Sequence, residues 1–479
     1  MYLLFLHIQA ELSYGTFQLF KALLLSEKLL NSFVLAAVVG GVGTLLAFCI
    51  ALLYFHINNK KVRFLFGLSL GFTFFVAPVI YASLFSQLEG FQHLCAFMRS
   101  VIVLLVWLTP LGSAIVIVSM GSMDKHSFEI LRFLFVPEKK LLFTLVLKQM
   151  LPTLGGVFTL LFLMTFTQEE VASYFGYRTY AEEFLSRIVL QEEFESTLFY
   201  ALPFILFSFV GFVIFYILLK QMNLSLKENL HTLESLELFK STKAVYVALG
   251  VLLLSLLFFL NLLLKNMDLS LFINSFEENF FVVLRSLFLA ALASLFVTAL
   301  SVYFVIECKT RTGLLLLICV TSLYWLLPSS LNALVLLQFS QYFYVESEWY
   351  SYVILIYAYI LRVLPIGLVI TAVLYKKTEQ NPARFVTISP YKEFMKITLP
   401  QNYKSYLIVF AIAFFLLLNE ITTTVLLVQA GFETIIVKIY NLLHYGDLSQ
   451  ILFLSLMQIL IVIFGLILFT YIKAAYDKA

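Results

Sequence analysis

Four polar side chains interrupt apolar runs that are otherwise long enough to cross a membrane. Asn419 and Glu420 lie together in the segment LLLNEITTT, Gln168 ends a second apolar run, and Arg362 lies in the middle of a third. Ionisable residues at membrane depth are rare and are functional candidates by default. We therefore predict that amide and carboxylate groups among them line a pathway for a cationic or metal-bearing solute.

Simpler interpretations exist for several of these residues. A buried arginine needs a partner, so we expect Arg362 to pair with a carboxylate on another helix and favour a structural role for it. Glu169 and Glu170 directly follow Gln168, and we expect both to be hydrated at the outer membrane interface. For Asn419 and Glu420 the pathway and the interface interpretations both stay open.

The composition predicts the elements that must position these residues. The chain is 62% hydrophobic and only 12% charged, and its mean hydropathy is +0.98. Apolar runs of about 20 residues, separated by short charged loops, are typical of transmembrane helices. We predict an all-α membrane protein with about 11 transmembrane helices. The predicted spans cover residues 31–55, 64–88, 100–120, 152–171, 198–219, 243–264, 280–306, 313–338, 350–375, 404–429 and 449–472.

Charge in the intervening loops alternates from one side to the other. Basic residues collect in one set of loops, which the positive-inside rule assigns to the cytoplasm together with the C-terminus. The opposite loops are acidic, as in the segment EEFLSRIVLQEEFE. We therefore predict a multi-pass protein of a bacterial inner membrane, with its first 30 residues on the non-cytoplasmic side.

The sequence contains two copies of one plan. The segment NSFVLAAVVGGVGTLLAFCIALLYF from Asn31 is similar to RSLFLAALASLFVTALSVYFV from Arg285, and further pairs follow at an offset of roughly 250 residues. Both copies have the same predicted orientation, so we expect a parallel repeat. The predicted division is an N-terminal segment 1–30, a first half 31–220 with a cytoplasmic loop 121–151, a linker and extra helix 221–279, and a second half 280–479 with a loop 376–403.

The two cytoplasmic loops match each other. FEILRFLFVPEKK begins at Phe128 and NPARFVTISPYKEF begins at Asn381. Arg132 corresponds to Arg384, and Pro137 nearly corresponds to Pro390. Because proline cannot continue a helix interior, each loop is expected to form two short helices that meet at an angle. Such a repeated polar elbow predicts a docking surface for a two-fold partner in the cytoplasm.

These loops and their setting resemble the fused permeases of binding-protein-dependent ABC importers, of the ferric-iron and thiamine type. That family's loop begins Glu-Ala-Ala, has a glycine after the glutamate and ends in Leu-Pro. Glu129 holds the first position, and Pro152 and Pro400 end Leu-Pro pairs. Asn381 replaces the second glutamate, and neither loop has the glycine. The resemblance covers roughly residues 28–220 and 280–475, although the family usually has six spans per half, whereas five plus six are predicted here.

The resemblance implies a transport subunit that works with other proteins. Its partners would be a cytoplasmic ATP-binding-cassette ATPase dimer, a periplasmic substrate-binding protein and the lipid bilayer, with no nucleic acid. Ferric iron is the first candidate solute, and thiamine or another small solute is the second. The ATPase-coupling residues implied are Glu129, Arg132, Pro137, Pro152, Arg384, Pro390 and Pro400.

The chain itself is not expected to be an enzyme. It contains no phosphate-binding G-x-x-x-x-G-K-[ST] segment and no nucleophile–base pattern. We therefore expect no cofactor in this chain, with ATP and Mg on the partner ATPase. A secondary transporter or channel without an ATPase stays open, because repeated halves and buried charges suit that class too. A scaffold for a membrane complex is a third reading.

Overall fold

The computed structural model describes most of the chain, and all of its described elements are helical. The described residues are 26–57, 59–121, 146–190, 194–221, 269–308, 311–341, 348–378, 399–428, 431–445 and 448–477, with the single residues 246 and 250. Within them, seven helices are long and apolar enough to cross a membrane, or up to nine if two bent helix pairs each count as one span. The prediction of an all-α, multi-pass membrane protein is confirmed.

Ten helices are described in the part of the chain up to residue 221, which we call the N-terminal part. They are α1 (Glu27–His56), α2 (Lys60–Phe75), α3 (Pro78–Phe85), α4 (Glu89–Gln92), α5 (Ala96–Gly121), α6 (Lys148–Phe166), α7 (Glu170–Tyr174), α8 (Tyr180–Val189), α9 (Phe194–Tyr200) and α10 (Leu202–Gln221). The long helix α1 packs against both α5 and α6.

Eight helices are described in the part from residue 269 onwards, which we call the C-terminal part. They are α11 (Leu269–Glu307), α12 (Arg311–Leu326), α13 (Ser329–Gln341), α14 (Glu348–Thr378), α15 (Leu399–Leu418), α16 (Thr422–Leu427), α17 (Ile435–Tyr445) and α18 (Leu448–Asp477). Here α11 packs against α14 and α15, as α1 packs against α5 and α6.

Several predicted spans differ from the single continuous helices expected. Spans 64–88 and 313–338 are bent pairs, with angles of 89° between α2 and α3 and 108° between α12 and α13. The apolar helix in span 404–429 ends at Leu418, and span 243–264 lies almost wholly outside the described residues. A proline explains the bends, because it disfavours a helical conformation in the preceding residue. Ala77, before Pro78, is extended with φ −61° and ψ 139°, and Pro328 stands at the second bend.

Close helix contacts use glycine at matching places in the two parts. A Cβ atom on Gly112 of α5 would lie 3.1 Å from the Cβ of Ala47 on α1. A Cβ atom on Gly367 of α14 would overlap the hydroxyl of Ser301 on α11. Small residues let membrane helices approach closely, which favours association where water supplies no driving force. Each close contact therefore joins the first long helix of its part to the long helix after the bend.

Several hydrogen bonds also recur at a separation of roughly 250 residues. The hydroxyl of Ser32 accepts from the backbone N–H of Tyr180 at 2.8 Å, and that of Ser286 accepts from Ile435 at 2.7 Å. Each bond fastens the start of a small helix, α8 or α17, to the first long helix of its part. Because the partners are non-local, the recurrence lies in the packing and not only in local helix geometry.

Candidate functional site

Breaks in four apolar helices lie next to one another between the two parts. The bends between α2 and α3 and between α12 and α13 are two of them. The others separate α6 from α7 and α15 from α16, over residues 167–169 and 419–421. Helix α7 contacts α3, and α16 contacts α13. A break frees backbone groups that lipid cannot satisfy, so side chains from neighbouring helices must supply the missing partners.

Arg362 of α14 satisfies the break after α12. Its Nη1 donates to the carbonyl oxygens of Trp325 at 3.0 Å and Leu327 at 2.8 Å, and its Nη2 donates to the hydroxyl of Ser329 at 3.2 Å. A cation at a helix C-terminus is favoured by the helix dipole as well as by these bonds. Arg362 thus has the structural role that its burial suggested.

Glu420, in the break after α15, is the carboxylate nearest to that arginine. Its Oε2 lies 3.9 Å from Nε of Arg362, an ion pair longer than a hydrogen bond, and its Oε1 accepts a hydrogen bond from the hydroxyl of Thr423. The pair joins α14 to the α15–α16 break. Arg362 therefore has a carboxylate partner on another helix, as the sequence had suggested.

Asn419 joins this break to the α2–α3 bend in the N-terminal part. Its amide nitrogen donates to the carbonyl oxygen of Phe75, the last residue of α2, at 2.8 Å. Its amide oxygen accepts from Gln458 of α18. Gln458 is fully buried, and its own Oε1 has no hydrogen-bond partner among the described residues. Sequence reasoning missed Gln458, because a single amide in the apolar helix α18 gives no pattern.

A tryptophan serves the α2–α3 bend in the way that Arg362 serves the α12–α13 bend. Nε1 of Trp107, on α5, donates to the carbonyl oxygen of Phe74 at 3.0 Å. Within each bend a further side chain also reaches back to α2 or α12. The Tyr81 hydroxyl donates to the Thr73 carbonyl oxygen at 2.8 Å, and the Asn332 amide donates to that of Tyr324 at 3.0 Å. The two bends are built in the same way, but the donor from the following long helix is neutral at the first bend and charged at the second.

Glu169 is buried, contrary to the expectation that it is hydrated at the membrane interface. Only 2% of its surface is exposed. Its Oε1 accepts a hydrogen bond from the hydroxyl of Ser330 on α13, whereas its Oε2 has no hydrogen-bond partner. Packing of α13 against the N-terminal part covers it, which local sequence cannot reveal. The repeat alignment of the sequence places Gln168 opposite Glu420, with Glu169 one residue beyond, and this neighbourhood was the signal that the sequence offered.

Glu170 and Gln168 lie beside Glu169. Oε1 of Glu170 lies 3.4 Å from the hydroxyl of Thr422, and its Oε2 lies 3.5 Å from the amide nitrogen of Gln168. Oε1 of Gln168 accepts from the backbone N–H of Val171 at 3.1 Å, so this residue helps to begin α7. Glu170 is partly buried against the C-terminal part, and its expected place at the membrane interface stays a prediction.

Three carboxylates therefore share one guanidinium at the junction of the two parts. We call this set, namely Glu169, Glu170, Glu420 and Arg362 with the hydroxyls of Ser330 and Thr422, the acidic junction. Its four charged groups are close enough to interact electrostatically with one another. Nowhere in the described ranges are three His, Cys, Asp or Glu side chains placed to hold a metal ion. The junction can attract a cation, and it lacks a closed set of metal ligands.

Most of the predicted coupling residues lie outside the described residues: Glu129, Arg132, Pro137, Arg384 and Pro390. The remaining two lie at the start of apolar helices. Pro152 is in the second turn of α6, and Pro400 is the second residue of α15, where a missing N–H costs nothing. The coupling role of all seven residues stays a prediction.

Comparison with models of known protein families gives no match, and comparison with curated proteins gives none either.

Proposed function

We propose that this chain is the transmembrane permease subunit of an ABC importer. It would accept a small cationic solute from a periplasmic binding protein and pass it to the cytoplasm, driven by ATP hydrolysis on separate ATPase subunits. The observation that carries the proposal is the acidic junction, built where broken helices of the two parts meet. Broken membrane helices around polar groups are a recurring design of transport sites.

The finer architecture belongs to the same proposal. We infer that the N-terminal and C-terminal parts are parallel repeats, with the remaining predicted spans completing about 11 transmembrane helices. Support comes from the equivalent bonds of Ser32 and Ser286 and from the matching glycine contacts at Gly112 and Gly367. Support also comes from the donors that Trp107 and Arg362 supply to the two bends.

Ferric iron remains the first candidate solute, with thiamine second, because both carry positive charge. Carboxylate and hydroxyl oxygens are hard ligands that suit such cations. A transport path must also release what it binds, so a loose arrangement of acids suits passage better than a closed metal cage. In this proposal Glu420 and Asn419 line the path, Arg362 sets its electrostatic balance, and Gln168 supports the helix break.

The coupling proposal is tested by purification with partners. We expect the tagged chain to co-purify from its native membrane with an ATPase whose activity it stimulates. The chain purified away from that partner should hydrolyse no ATP. The double variant Glu129→Ala with Arg384→Ala should abolish that association and ATP-driven uptake. The matched variant Lys60→Ala with Lys309→Ala removes charge from other predicted cytoplasmic loops and should preserve both. Unchanged association and uptake in the first variant would refute the coupling assignment.

One observation favours a second function, that of a secondary transporter. The buried Glu169, with an unpaired carboxylate oxygen, resembles the ion sites through which such proteins couple solute movement to a gradient. Proteoliposomes that contain only this chain distinguish the two functions. Solute uptake driven by an ion gradient, with no ATPase present, would support the secondary transporter and oppose the importer.

A further inference from the structure

We propose that Glu169 and the groups around it bind one monovalent, oxygen-coordinating cation, with sodium as the ion to test. The inference goes beyond the proposed function, because the site lies within this chain and needs neither an ATPase nor the transported solute. Its ligands would be the carboxylates of Glu169 and Glu170 and the hydroxyls of Ser330 and Thr422.

The strongest observation is the state of the Glu169 carboxylate. The side chain is nine-tenths or more buried, and its Oε2 makes no hydrogen bond, although buried polar atoms almost always have a partner. A buried carboxylate is costly unless it is paired or coordinates a metal ion. The structure therefore leaves one negatively charged oxygen, in a protein interior, without the compensation that such a group requires.

The guanidinium of Arg362 does not supply that compensation. Its donors are directed at the carbonyl oxygens of Trp325 and Leu327 and at the hydroxyl of Ser329, and its closest carboxylate is Glu420. It reaches Glu169 only through a longer electrostatic interaction. Arg362 is therefore held by the broken end of α12, and its ion pair is with Glu420 and not with Glu169.

Oxygen atoms of other side chains lie close to the Glu169 carboxylate. Ser330 bonds the other oxygen of Glu169, and the hydroxyl of Thr422 lies close to Glu169 and 3.4 Å from Glu170. The distances from Glu170 to Thr422 and to Gln168, 3.4 and 3.5 Å, are long for hydrogen bonds. Glu170 is thus also weakly satisfied. Two carboxylates and two hydroxyls from both parts of the chain thus lie within reach of one another.

These ligands favour a monovalent ion over the alternatives. Divalent cations take several carboxylates, and among the described residues no group of three acidic, histidine or cysteine side chains is placed to hold a metal. A proton on Oε2 would remove the charge but leave a buried O–H donor without an acceptor, which also carries a cost. Sodium instead draws on several neutral and charged oxygens, as in unwound segments of broken membrane helices.

Sodium-dependent stability of the whole chain tests this site. The protein in lipid nanodiscs is unfolded by heat in sodium chloride or in N-methyl-D-glucamine chloride of equal ionic strength, and tryptophan fluorescence is recorded. Trp107 and Trp325 lie at the two bends, so this signal reports the region of interest. A bound ion stabilises the folded state by mass action, and we expect sodium to raise the midpoint by about 2 °C or more.

Variants locate the effect. Glu169→Gln should abolish the sodium response, and Ser330→Ala, which keeps every charge, should shift the response to higher sodium concentrations. Glu183→Gln is the matched control, because Glu183 is also a partly buried carboxylate but pairs with Lys28 and Arg187. It should retain the full response. If Glu169→Gln fails to fold, the Ser330→Ala titration decides the question alone.

Three results would overturn the proposal. The first is an equal midpoint of the unmodified protein in both salts, and the second is a full sodium response in Glu169→Gln or an unshifted one in Ser330→Ala. The third is a midpoint that changes between pH 6 and pH 8 but not with sodium, which would assign the site to a proton instead. None of these results bears on association with an ATPase, so the importer proposal and the sodium site can fail separately.

Discussion

The two helix bends show how one framework carries different chemistry. In both bends a proline interrupts the helix. A side chain beyond the proline donates a hydrogen bond to the carbonyl oxygen eight residues before it, in α2 or α12. A side chain of the next long helix donates to a carbonyl oxygen at the bend. The N-terminal bend uses the neutral indole of Trp107, whereas the C-terminal bend uses the guanidinium of Arg362. Satisfying a broken helix requires a donor but no charge.

That difference decides where charge is balanced at the acidic junction. Glu420 has Arg362 within 3.9 Å, whereas Glu169, in the corresponding break after α6, has Ser330 and no cation in contact among the described residues. Arg362 is the one basic residue of the acidic junction, so positive charge lies beside Glu420 and not beside Glu169. A mobile cation is then needed on the Glu169 side, and substitutions at the two bends should have unequal effects.

The largest effect is expected from Arg362→Met. The change leaves Glu420 as a partly buried carboxylate without its cation and removes three hydrogen bonds from the α12 break, which should cost about 3 kcal/mol of unfolding free energy. Reversible unfolding in mixed micelles measures this loss. Trp107→Phe at the other bend removes one neutral hydrogen bond and should cost only about 1 kcal/mol. Equal losses in the two variants would contradict the assigned asymmetry.

The matched glycines provide the next comparison. In Gly367→Ala the added methyl group overlaps the Ser301 hydroxyl, and we expect a loss of about 1–3 kcal/mol from forced separation of α14 and α11. Gly112→Ala meets the Ala47 methyl group at 3.1 Å, so its loss should be smaller. The same unfolding measurement applies to both. The added Cβ would also lie 2.9 Å from Cγ1 of Val297, so the Gly367→Ala variant should recover stability only when Ser301→Gly and Val297→Ala are both added, and no recovery then would show that the contact is misplaced.

Asn419 should contribute about 2 kcal/mol as the link between the breaks. Asn419→Ala removes the bond to the Phe75 carbonyl oxygen and leaves the buried amide of Gln458 without its acceptor. Asn419→Asp keeps an acceptor for Gln458 but loses the donor and adds a fourth carboxylate. We expect it to be the less stable of the two variants, and the reverse order would argue against a polar link at this position.

The smallest effects are expected at the two serines that hold α8 and α17. Ser32→Ala and Ser286→Ala each remove one acceptor for a buried backbone N–H, and each should cost about 1 kcal/mol. The two losses should agree within about 0.5 kcal/mol if the parts are structural repeats. Hydrogen exchange at Tyr180 and Ile435 measures the local opening. Protection lost at only one site would weaken the repeat proposal.

Sequence reasoning recovered the elements better than their interruptions. Continuous apolar runs identify α1, α5, α11 and α14, because length and hydropathy are local properties. The same runs conceal the bends at Pro78 and Pro328, since hydropathy is equal on both sides of a break. The burial of Glu169 was missed for another reason: it depends on α13, which lies far away in sequence. The expected carboxylate partner of Arg362 was found in Glu420, because a guanidinium at membrane depth demands a partner wherever the chain folds.

The most direct test of an acidic pathway between the two parts is the chemical accessibility of Gln168, which is partly exposed beside the acidic junction. Gln168→Cys, in a chain whose four native cysteines are replaced, is treated with methanethiosulfonate reagents of opposite charge. Negative charge concentrates cations locally, so the cationic reagent should react about 10-fold faster or more. Adding Glu169→Gln and Glu420→Gln should remove that preference. Resistance to both reagents, or faster reaction with the anionic one, would contradict a cation pathway through this junction.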